Sequence, residues 1–249
     1  MHNEYVQTNK NLNYSGIQEL INFETGLKNY NRYIAKLIVN SLPLQEIRDR
    51  RSGVMDFGAG IGTIADILRD KYQLIVDCVE LDLELIDLLR RKKYKSFSGI
   101  EKINSKYRYI YTSNVLEHIE DDLEMLKKLF RAIETNGKLV VYVPAHPILF
   151  SNFDYSVGHF RRYKKNDLVE IVKNAGFSIE KCNYVDSFGF LLALIFKYKN
   201  KLFKNSEISQ RYLYIYDNLI YPISRTLDSL GLKFIMGKNI FLVAKKLDN

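Results

Sequence analysis

The feature that most restricts this chain is a rhythm between Gly53 and Val143. Gly53–Phe57, Leu74–Glu80, Lys95–Ser98, Tyr107–Thr112 and Lys138–Val143 read as short strands, and Thr63–Asp70, Leu83–Arg91 and Asp121–Ile133 between them read as helices. Runs of β-branched and aromatic residues mark the strands, and apolar positions at three and four spacing mark the helices. Strands that alternate with helices in this way lie parallel and are joined by right-handed crossovers. The expected fold is therefore α/β, a three-layer sandwich with helices on both faces of the sheet. Asn136-Gly137 is the turn from helix to strand, with Gly137 expected in the left-handed conformation that stops a helix.

The rest of the chain decorates that rhythm. Apolar positions at helical spacing (Ile17, Leu20, Ile21, then Tyr30, Ile34, Leu37, Ile38) predict one or two helices before the core, ended by Pro43. After Pro144 a polar and aromatic segment, Ala145–Lys165, is too long for a simple connection. A helix follows from Asn166 or Asp167 to Asn174, then a stop at Gly176 and a strand over Phe177–Val185. A mostly helical insertion occupies Ser187–Gly237, and Asn239–Ala244 is a final apolar strand, making seven. At 249 residues this suits one decorated domain. Residues 1–45 read as a helical cap, 46–186 as the core, 187–237 as the insertion and 238–249 as the core's last strand.

The sharpest local signal lies where the first strand meets the first helix, in Asp56-Phe-Gly58-Ala-Gly60-Ile-Gly62. Alternate glycines let the backbone turn tightly and approach a ligand, and the following helix offers unpaired N–H groups. The spacing is G-x-G-x-G rather than the dinucleotide G-x-G-x-x-G, whose third glycine would fall at Thr63. Asp56 would repel a pyrophosphate and instead suits a cationic amino group. Glu80 ends the second strand, where a carboxylate can grip a ribose diol through two hydrogen bonds.

Through these residues, with Val79-Glu80-Leu81-Asp82, Ser113-Asn114-Val115-Leu116-Glu117-His118-Ile119 and Asn136-Gly137-Lys138, the chain resembles the class I S-adenosylmethionine-dependent methyltransferases. The resemblance covers roughly residues 30–186, and the final strand fits the antiparallel seventh strand of that Rossmann-like fold. Pro144-Ala-His146 through Asp154 and Gly158-His159-Phe-Arg161-Arg162-Tyr163 look like a subfamily met near polysaccharide and lipid biosynthesis. The resemblance implies S-adenosylmethionine as cofactor, with Asp56, Gly58, Gly60 and Gly62 cradling its methionine part and Glu80 and Leu81 at the ribose. Gly99 and Ile100 would flank the adenine, and Ser113 and Asn114 would line the sulfonium side. Many relatives carry an Asp where Arg108 stands, so this strand's start departs from the family pattern.

Methyl transfer from a sulfonium depends mostly on in-line positioning, but a hydroxyl acceptor also needs a base. His118 and His159 are the catalytic candidates, and a neutral imidazole can take a hydroxyl proton at pH 7. Helix capping beside Glu117 is the competing reading of His118. Glu117, Glu120, Asp121 and Asp122 with His118 could hold a divalent ion, as in some relatives of similar motif. The favoured reading has these acids serving the next helix's dipole, and no metal site is assigned. His146, Arg161 and Arg162 are substrate candidates, two adjacent arginines suiting a phosphate, carboxylate or sugar acid. In the alternative, Arg161 pairs with Asp154 and pins the insertion. Tyr30, Asn31 and Tyr33 either close over the cofactor or belong to the core.

Charge bears on partners. An apolar fraction of 47% with 27% charged residues excludes wholesale disorder. The net charge is +8, and from Ser187 onward ten Lys/Arg stand against four acids, a net +6. Nucleic acid, an anionic membrane or a phosphorylated substrate would each suit such a balance. Most of the excess lies outside the cofactor half, beside the apolar run Phe188–Phe196, which disfavours nucleic acid and leaves peripheral membrane contact open. By the family resemblance, enzymes that methylate exocyclic or side-chain nitrogen would carry an Asn/Asp-Pro-Pro-aromatic motif where Ser113-Asn114-Val115-Leu116 stands, and its absence argues in the same direction. That apolar stretch is well short of the roughly 20 residues needed to span a bilayer. Met1–Lys10 lacks a secretory pattern, and two cysteines, Cys78 and Cys182, give no disulfide framework, so a cytoplasmic protein is expected. The expected activity is O-methylation of a small, saccharide or lipid-linked acceptor. A nucleic-acid or protein N-methyltransferase, or a non-catalytic module of the same fold, is the alternative. Intact Asp56, Gly58, Gly60 and Glu80 argue against the last.

Overall fold

The computed structural model describes residues 17–43, 53–200 and 210–248. Met1–Lys10 and the charged residues Lys201, Lys204 and Glu207 lie outside them. One seven-stranded sheet runs through the molecule in the order β3-β2-β1-β4-β5-β7-β6. Its strands are β1 (Val54–Phe57), β2 (Val76–Val79), β3 (Ser96–Phe97), β4 (Tyr107–Ser113), β5 (Ile133–Pro144), β6 (Ser178–Val185) and β7 (Asn239–Lys245). The first five are parallel, and β7 is antiparallel to both β5 and β6. The expected three-layer α/β arrangement with a reversed last strand is the one observed.

Every residue of β1 and β2 is buried, as parallel strands covered on both faces must be. Side chains alternate across the sheet. Val54, Tyr109, Tyr111, Val140 and Tyr142 face one helical layer, with Ile34 and Ile38 of α2 and Leu68 of α3. Met55, Ile110, Leu139 and Val141 face the other, with Leu126, Leu129, Leu168 and Val172. The helices are α1 (Ile17–Gly26), α2 (Lys28–Val39), α3 (Thr63–Tyr72), α4 (Leu83–Arg91), α5 (Asp122–Ala132), α6 (Asn152–Ser156) and α7 (Lys165–Asn174). Asp82 caps α4 by accepting from the Glu84 and Leu85 amides at 2.8 and 3.1 Å, and Asp121 caps α5 by accepting from Glu124 at 2.9 Å. Each such cap stabilises by about 1 kcal/mol.

At Asn136-Gly137 the structure corrects the expectation. Asn136, not Gly137, takes the left-handed conformation, with φ 63°. Gly137 is required for space, since a Cβ there would lie 2.6 Å from the Arg108 carbonyl oxygen. A β-bulge accompanies the turn: Tyr107 pairs with Ile133 and Tyr109 already with Lys138.

The insertion between β6 and β7 consists of α8 (Ser187–Asn200), α9 (Gln210–Ile215), a π-helical turn (Tyr216–Ile220) and α10 (Tyr221–Ser229). Two buried aspartates join it to the core. Asp217 accepts the Asn29 and Tyr30 amides, both at 2.8 Å, and so caps α2 from 188 and 187 residues away. Asp228 accepts the Asp186 and Ser187 amides at 2.8 and 3.1 Å and caps α8. These contacts hold the insertion and the N-terminal helices against the carboxyl ends of the strands, where ligands enter open α/β sheets. Among the described residues, no helix is long and apolar enough to cross a membrane.

Candidate active site

A cavity of about 320 Å³ opens at the carboxyl ends of β1 and β4, under α1 and α2 and beside α9. Its floor includes Asp56, Gly58, Ala59, Gly60 and Ile61 from the β1–α3 loop and Ser113 and Asn114 from the end of β4. Gly58 has φ +79°, and a Cβ there would approach Val115 to 2.3 Å, so both conformation and space demand glycine. The Asp56 carboxylate accepts the Tyr111 hydroxyl at 2.8 Å. Burial pushes its pKa up to about 7; the Tyr111 bond lowers it and the nearby Glu80 charge raises it further. A cationic ligand group would relieve that penalty.

Glu80 fastens the loop rather than lining the cavity. Its carboxylate accepts the Gly60 amide at 2.8 Å and the Leu81 and Asp82 amides at 2.7 and 3.2 Å. A carboxylate has about four lone-pair sites, so three are engaged and one remains for a ligand. Gly62 is the left-handed N-cap of α3, with φ 85°. Leu81 is exposed. Gly99 and Ile100 lie away from the cavity lining: Ile100 is buried in the core on the other face of the sheet.

The opposite wall is made of side chains. Glu117 and His118 sit in a single 3₁₀ turn after β4 (Leu116–His118). His159 and Arg162 come from the segment following α6 and enter the same wall. Glu117 is fully buried, and among the described residues neither carboxylate oxygen has a hydrogen-bond partner of good geometry. Burial raises its pKa to about 8, offset only in part by its own amide and the Arg162 charge. His118 packs edge-on against His159, ring centroids 4.6 Å apart. Burial, then the neighbouring His159, lowers the His118 pKa to about 4, while a hydrogen bond with the Gly158 backbone opposes the shift. His159 Nδ1 is 2.8 Å from Asp154 Oδ1, and its Nε2 lies 3.9 Å from Glu117 Oε1.

Asp154 organises this wall. It is fully buried and accepts Arg162 Nε at 2.7 Å and the Ser151 amide and hydroxyl at 2.9 and 3.0 Å. Burial raises its pKa, but the His159 hydrogen bond and the Arg162 charge and hydrogen bond outweigh that and depress it to about 2. The alternative reading pairs Arg161 with Asp154; in the structure it is Arg162 that does so. Arg161 turns away to Asp122 (2.6 Å) and the Glu120 carbonyl (2.7 Å). Tyr163 completes the clamp by donating to Asp122 at 2.7 Å. Thus Gly158-His-Phe-Arg-Arg-Tyr163 locks the segment after β5 onto the 3₁₀ turn after β4. Asp121 and Asp122 serve this clamp and the α5 cap.

His146 is outside the cavity, stacked on Tyr184 with centroids 4.8 Å apart and packed on Phe190. Tyr30 and Asn31 line the cavity, whereas Tyr33 packs on Tyr221 and under Arg225. Sequence reasoning did not single out Lys238, Asn239 or Tyr216, which also line it. Asn239 donates to the Tyr30 hydroxyl at 3.0 Å, which in turn meets the Tyr142 hydroxyl at 2.8 Å. Nothing in the local sequence signals these residues, because chain segments about 200 residues apart bring them together.

A sheet of this order, with one reversed strand and a glycine loop closing β1 over a cavity, defines a Rossmann-like methyltransferase. The sequence matches the methyltransferase domain family over residues 27–181, and the chain belongs to that family. It is an S-adenosylmethionine-dependent methyltransferase. Similar solved structures include an S-adenosylmethionine-dependent methyltransferase from Archaeoglobus fulgidus, with TM-score 0.58 and 15% identity over 90% of this chain and 98% of that one. Another is magnesium protoporphyrin IX methyltransferase from Synechocystis with bound S-adenosylmethionine, with TM-score 0.52 and 12% identity over 89% and 80%. Phosphoethanolamine N-methyltransferase 2 from Haemonchus contortus has TM-score 0.50 and 18% identity over 84% of this chain and 53% of that one. At these identities the likeness is one of fold. A comparison with curated protein sequences finds no match.

Proposed function

We propose that this methyltransferase transfers the methyl group to a hydroxyl of a small, saccharide or lipid-linked acceptor. In this reading S-adenosylmethionine lies over the β1–α3 loop with its amino group at Asp56 and its ribose at Glu80. The sulfonium then faces Ser113, Asn114 and the opposite wall. What supports the reading is the wall opposite the glycine loop: Glu117, His118 and His159 line the cavity there, and among the described residues neither Glu117 oxygen has a hydrogen-bond partner. A hydroxyl must lose its proton as its oxygen attacks, and a wall of this kind serves that need, whereas an amine has only to arrive unprotonated. In the balanced reaction the C–S bond breaks as the O–C bond forms. A neutral thioether, the methyl ether and one proton are the products.

Phe23, Phe153, Tyr212 and Tyr216 give the cavity apolar walls, which suits an acceptor with an apolar part. Leu191, Ile195 and Phe196 on α8 are exposed, and this apolar face together with the basic balance of the last quarter of the chain supports contact with an anionic lipid surface. Flotation with anionic vesicles tests that contact, and full recovery of protein in the unbound fraction would refute it. A nucleic-acid acceptor would require affinity that falls steeply with salt. Calorimetry tests the cofactor assignment: S-adenosylmethionine and S-adenosylhomocysteine should bind at micromolar concentrations, and no heat at high protein concentration would overturn it.

A further inference from the structure

The wall facing the glycine loop has the composition and order of a metal centre. We infer that Glu117, His118 and His159 bind one divalent cation of the zinc, manganese or iron(II) kind, and that the cation ligates the acceptor's hydroxyl. This inference rests on the reading that the cavity is where acceptor and methyl donor meet.

Three observations carry it. First, one ligand atom from each of the three residues lies within 4.8 Å of the others, and the set lines the cavity. The 3.9 Å between His159 Nε2 and Glu117 Oε1 exceeds the roughly 3.3 Å that tetrahedral ligands at zinc distances would show. A few tenths of an ångström of side-chain movement closes that difference. Second, among the described residues both Glu117 oxygens are buried without a good partner. A buried carboxylate left this way is costly, and a cation in the cavity would satisfy it. Third, the imidazoles are already oriented. His159 Nδ1 is held by Asp154, leaving Nε2 turned toward Glu117. His118 packs edge-on against His159, ring centroids 4.6 Å apart. A carboxylate behind a histidine is the usual outer support of a metal-bound imidazole, fixing its tautomer and direction.

Two imidazoles and one carboxylate suit a borderline divalent ion better than calcium or magnesium, which prefer oxygen. Such a set leaves coordination positions open, so the cation can bind the acceptor oxygen and lower its pKa. The two histidines then act on the hydroxyl through the cation, and the released proton passes to solvent. This restricts the acceptor to compounds whose hydroxyl, alone or with a neighbouring oxygen, can bind a metal.

The test uses the full chain, stripped with chelator and returned to chelator-free buffer, with S-adenosylhomocysteine binding measured in parallel. Titration with Co²⁺ should produce a visible d–d absorption that saturates at one equivalent and is displaced by Zn²⁺. Glu117→Gln and His159→Ala should each weaken Co²⁺ binding about 100-fold or more. Asp154→Asn should weaken it about 10- to 100-fold, as expected for an outer partner. No saturable absorption or heat from the unaltered chain with Co²⁺, Mn²⁺ or Zn²⁺ up to millimolar levels would overturn the proposal. So would equal affinity in the unaltered chain and Glu117→Gln. S-adenosylhomocysteine separates the two readings. If it binds and no cation does, only the metal site falls; if it fails to bind the unaltered chain, the methyltransfer reading falls as well. A variant that loses S-adenosylhomocysteine binding is set aside as misfolded, and the unaltered chain with the remaining variants decides.

Discussion

The two walls of the cavity are built by different means. One wall is mostly backbone: the end of β1 and the turn after it, Asp56–Gly62, bent by positive φ angles at Gly58, Gly60 and Gly62 and fastened by the Glu80 carboxylate through the Gly60 amide. The opposite wall is made of side chains from two segments, the turn after β4 and the stretch after α6, held by Asp154 and Arg162. A backbone site depends on conformations that few residues can adopt. A side-chain site depends on a network in which each buried charge needs its partner. The first should therefore fail in ligand binding and the second in stability or chemistry.

Asp154→Ala gives the largest expected effect. It leaves the Arg162 guanidinium, whose side chain is only 9% exposed, without its buried partner. Breaking such a pair costs about 3–5 kcal/mol. Urea unfolding should read that loss, and a change below about 1 kcal/mol would mean that the segment after α6 is held by something else.

Gly58→Ala should break the other wall. An alanine must adopt φ +79° and clear Val115, strain of order 1–3 kcal/mol in the loop itself. S-adenosylhomocysteine affinity should fall about 100-fold in calorimetry, while the melting temperature falls less than in Asp154→Ala. The reverse ranking would dissolve the contrast between the walls.

Glu80→Ala removes both the loop's brace and the remaining acceptor for a diol. Charge-assisted bonds of this kind are worth about 1.5–3 kcal/mol, so affinity for S-adenosylhomocysteine should drop roughly 10- to 100-fold. Unchanged affinity would reject the ribose assignment.

The smallest effect concerns pH. Asp56 holds its proton more tightly folded than unfolded, so it costs stability as pH rises from about 4 to about 7, with the full cost present above 7. A ligand amino group favours the ionised form. Affinity for S-adenosylhomocysteine should therefore rise several-fold between pH 6 and pH 7.5, and Asp56→Asn should flatten the profile. A slope that survives in Asp56→Asn would assign the titration to another group.

The α/β rhythm was legible because each strand and helix carries its own periodicity. Leu83–Arg91 is placed to the residue, and β1, β4 and β7 differ by single residues at their ends. The glycine loop was legible because its alternate glycines are contiguous in sequence. Glu117 was visible only as one acid among four neighbours; its burial without a partner depends on the segment after α6 closing over it. The swap between Arg161 and Arg162 has the same origin. Both side chains follow Phe160, whose amide bonds the Glu117 carbonyl at 2.8 Å, and only that docking decides which arginine turns inward. His146 could not be placed from sequence, because Tyr184 and Phe190, its packing partners, lie about 40 residues downstream.

By itself, then, the sequence determined the layers, the parallel sheet and the glycine turn after β1, since periodicity and glycine stereochemistry are local properties. The tertiary structure decided which charges share a buried space: Asp154 with Arg162 and His159, and Glu117 with the two histidines. The physical reason is desolvation. A carboxylate or imidazole acquires its altered proton affinity and its open lone pairs only when distant segments exclude water around it.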